Sequence, residues 1–357
     1  MAQSATPWWQ VFIDTIERMP RGQQAERFAA LSIELKSRNE KAAAAAQALR
    51  AWQAAREFGP PSEAVVEALT AVTPRYHAQI STDPLRIATW NAALAAVVKP
   101  GMLALEVGTG SGVIAMLAAR SGATVVSCEM DRVMATIAET IVRHNGLTES
   151  IRIIGKPVGD LHVPHDLSRP ADLLILDVFS DSLFNFKPFQ TVRTARTLLR
   201  RDAICMPARV SLEAALADHR HWPRIIPGSV AGLDLSLLGD VASLWARIAP
   251  GEVTLRSAQN TMVDATLPDA LPPDEGAAQQ TLVGDGGVVN GLAVWLRLEL
   301  APGQVLEAHP QTAPPNFYAK PRFHAFREAL DTRPGQTITI RLKWNGNRLH
   351  SAEQVMA

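Results

Sequence analysis

The run LALEVGTGSG at residues 103–112 leaves this chain few folds to choose from. A short apolar strand ends at Glu106 and Val107, and Gly108, Gly110 and Gly112 then form a GxGxG turn into VIAMLAARS, whose apolar spacing is helical. Glycine is needed there because the chain must turn sharply and let a ligand lie against bare main chain. The alternation continues downstream. ATVVSC, IRIIGK and LLILDVF read as strands, RVMATIAETIVRHN reads as a helix, and Gly146 follows it as a C-cap. Strand and helix in alternation predict a parallel sheet covered on both faces by helices. Glu129, in VVSCEMD, stands at the next strand end about 20 residues past the turn, where a carboxylate can accept from both hydroxyls of a ribose.

The flanks have a different texture. Through residue 73, Phe12, Ile13, Ile16, Phe28, Leu31, Leu35, Leu49 and Trp52 recur at helical spacing, and the alanines from Ala42 to Ala46 add propensity. Gly59, Pro60 and Pro61 break this segment before VVEALTAV, which Pro74 ends. Past Pro207 the runs ARVSLEAAL, LAVWLRLEL and TITIRLKW are β-rich and separated by turn residues, as in an antiparallel barrel. His219 to Ile248 is expected to form an inserted helical arm, and Asp264 to Gly287, rich in Pro, Gly and Asp, an exposed loop. The expected organisation is an α/β protein in three parts: a helical extension at 1–75, a Rossmann-like domain at 76–206 and a β-barrel domain at 207–357 carrying the arm at about 219–248.

Charge and cysteine content remove other classes. Thirty-five Lys and Arg balance 35 Asp and Glu, so there is no global basic field for nucleic acid. Cys128 and Cys205 supply neither a disulfide framework nor a CxxC zinc pattern, and the histidines have no metal-ligand spacing, so no metal is expected. Asp14 and Glu17 interrupt the N-terminal stretch where a signal peptide would be apolar, and no charge-free apolar run reaches about 18 residues. The expectation is a soluble cytoplasmic protein without membrane partners.

The GxGxG turn with Ser111 before its third glycine and Glu106 just ahead of it resembles the class I S-adenosylmethionine-dependent methyltransferases. A nicotinamide-dinucleotide site is the alternative. The wider run STDPLRIATWNAALAAVVKPGMLALEVGTGSG is similar to the protein arginine methyltransferases, in the branch with helical N-terminal extensions. That resemblance implies S-adenosylmethionine as cofactor and S-adenosylhomocysteine as product. It implies that Glu106 serves the methionine end, that Gly108, Gly110 and Gly112 touch the cofactor, and that Glu129 binds its ribose. Arg86, on a helix with Trp90, would pair with the cofactor carboxylate, and a planar guanidinium suits that task. Main chain near Pro157 and Val158 would meet the adenine, with Asp160 accepting from its amino group or serving as a plain turn carboxylate. MPARV at 206–210, VVNGLAVWLRLEL with Gly291 and Trp295, PPNFYAKPRFHAF and PGQTITIRL match the family's barrel, so the likeness covers about residues 76–345. The arm matches the element through which family members form homodimers.

At the acceptor loop the sequence departs from the family. Two glutamates normally hold a guanidinium there, whereas LDVFSDSLFNFKPF places Asp177 at the first position and Phe186 at the second, nine residues on, with Asp181 between them. The family's Thr-His-Trp is replaced by Asn316, Phe317 and Tyr318. Phe179, Phe184, Phe186, Phe189, Phe317 and Tyr318 suggest an aromatic-walled site, unless they are ordinary core. Because the acidic pair is incomplete, the expected function is methyl transfer to a small-molecule or peptide acceptor other than a standard arginine site, with Asp177 orienting it and Tyr318 giving a hydrogen bond; the alternatives are arginine N-methylation, chiefly monomethylation, using Asp177 and Asp181, and a cofactor-binding interaction protein without catalysis.

Overall fold

The computed structural model describes residues 7–73, 76–222, 228–238, 244–345 and 348–355. The N-terminal part is a helical bundle of α1 (Trp8–Glu17), α2 (Arg21–Ser37), α3 (Lys41–Arg56) and α4 (Glu63–Val72). Its core is separate from the rest: Ile13, Ile16, Phe28, Leu31 and Leu35 meet Ala44, Ala48, Ala51 and Val65, and the alanines let α2 and α3 approach closely. Ser62 caps α4 by accepting from the Val65 amide. Two further helices, α5 (Tyr76–Ser81) and α6 (Pro84–Val97), lead into the central domain.

That domain runs β1 (Leu103–Val107), α7 (Val113–Arg120), β2 (Thr124–Cys128), α8 (Arg132–His144), β3 (Ile151–Ile154), β4 (Ala171–Leu176), α9 (Pro188–Ala195) and β5 (Leu199–Met206). The strands are parallel in the order β3-β2-β1-β4-β5. Strand β1 is buried along its whole length, as its unbroken apolar run with one carboxylate requires. Because the order reverses at β1, a crevice opens past the C-terminal ends of β1 and β4, where open parallel sheets bind their ligands.

The third part is antiparallel: β6 (Arg209–His219), β7 (Ser229–Val230), β8 (Leu233–Asp234), β9 (Trp245–Arg247), β10 (Val253–Leu255), β11 (Asn260–Thr266), β12 (Gly276–Val283), β13 (Gly287–Ala301), β14 (Gln304–Glu307), β15 (Arg322–Thr332), β16 (Thr337–Asn345) and β17 (Arg348–Val355). One sheet has the order β10-β6-β13-β15-β9, with β11 on β6 and β14 on β13; a second has the order β12-β16-β17. Leu212, Leu216, Leu292, Phe323 and Ile340 belong to the same core as the parallel sheet. The barrel strands read from sequence are therefore present.

The segment from Asp264 to Gly287 differs from the loop expected of it. Strand β12 pairs with β16 from Gly276 to Val283, and only 267–275 connects β11 to it. Gln279, Gln280 and Thr281 are exposed, so backbone pairing holds this edge strand and no apolar alternation announces it. Within the arm, the described residues form the β7–β8 hairpin and β9. The helical arm expected at about 219–248 is not what these described residues form, and 223–227 and 239–243 lie outside the described residues.

Gly291 carries the closest main-chain approach in the barrel. A Cβ there would stand 2.2 Å from the Phe323 ring and 2.5 Å from the His324 carbonyl oxygen. Gly291→Ala is expected to lower stability by about 1–3 kcal/mol or more. Urea unfolding checks this, and an unchanged midpoint would count against it. Among the described residues no helix is long and apolar enough to cross a membrane.

Candidate active site

The crevice at the switch point is built from the glycine turn. Gly108, Gly110 and Gly112 all have positive φ, at 86°, 52° and 81°, and a Cβ on Gly108 would lie 2.8 Å from Val178 Cγ1. At the end of β2, Glu129 accepts from the Gly110 amide at 3.1 Å and the Asp131 amide at 3.0 Å. A carboxylate has further lone pairs, so those contacts orient Glu129 and leave it able to accept more. Helix α5 closes over the turn. Ser81 Oγ donates to Ser111 Oγ at 2.8 Å, and the His77 ring lies 3.5 Å from where a Gly110 Cβ would stand.

Glu106 sits beneath the turn, buried, accepting from Ser127 Oγ, whose hydroxyl also meets Thr109 Oγ at 2.6 Å. Burial pushes its carboxyl up to about 8, against the lowering effect of the Ser127 bond. The unfolded chain ionises Glu106 near 4.5, so the stability it contributes is full below that pH and is lost as pH rises toward about 8. The loss is at most about 1.4 kcal/mol per pH unit. Glu106→Gln is expected to be more stable relative to the parent at pH 8 than at pH 5. Urea unfolding at both pH values checks this, and a constant difference would refute it.

The second half of the site joins α6 to the acceptor loop after β4. Arg86 Nε donates to Asp177 Oδ2 at 2.6 Å, Nη2 donates to the same oxygen, and Nη1 donates to the Ile80 carbonyl at 2.8 Å. Both side chains are buried, at 6% and 4% exposure. Asp83 caps α6 through the Arg86 amide and accepts from the Tyr318 amide at 2.8 Å, which ties the barrel loop to the helix. The Arg86 guanidinium stands 5.9 Å from the Tyr318 ring centroid. Among the described residues, buried polar atoms without a hydrogen-bond partner concentrate here: Asp177 Oδ1, Ser180 Oγ, Asp181 Oδ2, Ser182 Oγ and the Tyr318 hydroxyl. Buried polar groups are rarely left unpaired, so this concentration marks a place built for a ligand.

The sequence-derived residues divide accordingly. Glu106, Gly108, Gly110, Gly112 and Glu129 gather around the strand ends, and Arg86 and Asp177 form a buried pair with the half-buried Tyr318 ring beside it. Asp181 turns to Arg322 and Arg247 instead. Phe186 is 67% exposed with φ 66°, outside any aromatic wall. Phe184 stacks on Trp344 with centroids 5.0 Å apart, and Phe179, Phe184 and Phe189 pack on one another as core. Trp90 is fully buried. On the 3-10 turn after β3, Val158 packs against the core and Asp160 is exposed. His77 and Ser81 on α5 and Asp83 before α6 also border the site and are not among these sequence-derived residues. Asp83 before Pro84 carries the signature of an N-cap and was legible; α5 is too short for a periodic signal.

A bare-backbone turn, a carboxylate at the end of the second strand and a buried guanidinium together fit a ligand bearing a ribose and a carboxylate, as S-adenosylmethionine does. Comparison with known proteins agrees. The model of the ribosomal protein L11 methyltransferase (PrmA) family matches residues 91–196. An arginine N(omega)-methyltransferase of Streptomyces achromogenes subsp. streptozoticus is 30% identical over 279 residues, covering 76% of this chain and 76% of that one. Protein arginine N-methyltransferase 7 of Drosophila ananassae is 35% identical over 116 residues, 32% of this chain and 17% of its own length. The fold resembles that of the Trypanosoma brucei PRMT1 enzyme-prozyme heterotetrameric complex with AdoHcy, with a TM-score of 0.67 and 22% identity over 77% of this chain and 90% of that one.

Proposed function

The chain belongs to the arginine methyltransferase family and is an S-adenosylmethionine-dependent methyltransferase, and from that premise we propose that it methylates an Nω nitrogen of a guanidino acceptor held by Asp177. The observation that carries the acceptor is the state of one carboxylate: Asp177 Oδ2 is held by Arg86, while Oδ1 is buried and has no partner. An N–H donor is what that oxygen lacks, and a guanidinium supplies it.

Residues Glu106, Gly108, Gly110, Gly112, Glu129 and Arg86 would hold the cofactor, with Val158 and Asp160 toward its adenine. The bound cofactor supplies an electrophilic methyl group. Asp177 then fixes the acceptor by accepting one N–H at Oδ1 and disperses the positive charge on the guanidine, so that the remaining nitrogen is aimed and held at reacting distance. The nitrogen's proton is lost late, so positioning outweighs the strength of any base. The Tyr318 hydroxyl, buried and unpaired, is a second contact for the acceptor.

Asp181 is a weak candidate for the second acid, because Arg322 and Arg247 already face its carboxylate. With one free acid, a single methylation is the favoured product. The aromatic-walled site has less support, since Phe179, Phe184 and Phe189 spend their faces on one another and on Trp344. We also propose that the protein is a cytoplasmic homodimer joined through the arm, where Leu233, Leu237 and Leu238 are exposed. Incubation with S-adenosylmethionine carrying a tritiated methyl group, alongside arginine, arginine peptides and non-guanidino amines, tests the acceptor. Label is expected in guanidino nitrogens alone; label in a non-guanidino amine would overturn the proposal.

A further inference from the structure

Beside the acceptor loop lies a pair of arginines that holding the guanidine does not use. Arg247 on β9 and Arg322 on β15 are directly opposite each other in the antiparallel register. Like charges placed opposite one another across strands destabilise a sheet unless an anion lies between them. Asp181 is the anion the structure supplies: Arg322 Nη2 donates to its Oδ1 at 2.8 Å, and Arg247 Nε stands 3.6 Å from its Oδ2. One carboxylate against two guanidinium groups leaves an unbalanced positive charge. Donor capacity is also unused. Arg322 Nε is buried without an acceptor, while the Arg322 guanidinium is fixed over the Trp245 ring, 4.3 Å from its centroid. Arg247 is 67% exposed and meets Asp181 only at ion-pair distance.

We propose that Arg247 and Arg322 form a subsite for a carboxylate of the acceptor, so that the enzyme selects a guanidino acid with a free carboxylate over an arginine inside a polypeptide. The chemistry is the planar, forked pairing of guanidinium with carboxylate. Asp181 lies four residues after Asp177 on the same acceptor loop, so in this proposal one loop serves both ends of a short guanidino acid, its cation at Asp177 and its carboxylate at the two arginines paired with Asp181. A cationic protein tail would meet the same two arginines as repulsion. The inference rests on the guanidino reading of the Asp177 site. A free amino acid and a peptide C-terminus offer the same carboxylate.

Calorimetric titration of the protein loaded with S-adenosylhomocysteine separates these cases, using L-arginine, agmatine as the same guanidine without a carboxylate, glycyl-arginine, and a peptide with an internal arginine. L-arginine is expected to bind at least about tenfold more tightly than agmatine or the internal arginine. In Arg247→Ala, an exposed change with little effect on folding, arginine affinity is expected to fall to the agmatine level. Arg322→Met is expected to do the same where it folds. Glycyl-arginine binding as well as arginine supports a C-terminal carboxylate, and weaker binding supports the free amino acid. Equal binding of L-arginine and agmatine, or a preference for arginine retained in Arg247→Ala, overturns the subsite and leaves the guanidino site standing. Failure of every guanidine to bind or accept label would instead remove the underlying reading, and the subsite with it.

Discussion

Arg86→Met is expected to destabilise the folded protein by about 3–5 kcal/mol, and Asp177→Leu by a similar amount, while the double variant should fold within about 1–2 kcal/mol of the parent. The reason is the burial of both partners, at 6% and 4% exposure. Each single change strands the other charge in the interior; removing both replaces an ion pair by apolar groups of similar size. Arg86 would keep one hydrogen bond, to the Ile80 carbonyl, and Asp177 Oδ1 has no partner to fall back on. Urea unfolding of the four proteins completes the cycle, and single effects that simply add would show that the pair is not coupled. Activity separates the structural from the chemical role. The double variant is expected to fold and transfer no methyl group. The near-isosteric Asp177→Asn should lose on the order of 10²–10³ in rate, as when one charge-stabilising contact is removed from an active site. An Asp177→Asn protein as active as the parent would move the acceptor elsewhere.

How far this site was legible in the sequence depends on what each residue does. The glycine turn, Glu106 and Glu129 could be read because main-chain approach and strand-end carboxylates impose residue types at fixed spacing. The parallel strands were legible for the same kind of reason, since burial on both faces leaves unbroken apolar runs. Strand β12 was not, because an exposed edge strand held by backbone pairing needs no apolar pattern. Asp177 and Arg86 were each picked out, but not their pairing, which spans 91 residues and depends on how α6 lies across the strand ends. The phenylalanines of the acceptor loop mark the limit most clearly. Sequence cannot distinguish a ring that lines a pocket from one that seals it, and here Phe184 stacks on Trp344 from the last sheet, while Phe186 at a left-handed position points outward. The same departure from the family that suggested rings in the pocket instead accompanies a shift of charge, with Asp181 drawn to Arg322 and Arg247.

Glu129→Ala is expected to weaken cofactor binding on the order of 100-fold or more, because two charge-assisted hydrogen bonds to a ribose are worth about 1.5–3 kcal/mol each. The fold should suffer less. Glu129 is 8% exposed at a strand end, and its internal partners are the amides of Gly110 and Asp131, so their loss costs about 1–2 kcal/mol. Those two amides make the prediction sharper than a count of lost bonds. Gly110 lies at positive φ with the His77 ring above it, so the carboxylate proposed to meet the ribose also accepts from the turn. Glu129→Gln separates the two roles in part: its carbonyl oxygen can still accept from Gly110, while its NH2 replaces the oxygen that accepted from Asp131, so the turn contact is kept and the charge and one amide contact are lost. Calorimetry with S-adenosylhomocysteine should therefore rank the parent above Glu129→Gln and Glu129→Gln above Glu129→Ala. Unchanged affinity in both variants would exclude Glu129 from the cofactor site. Equal loss in both would assign the effect to charge alone and release the turn from dependence on this side chain.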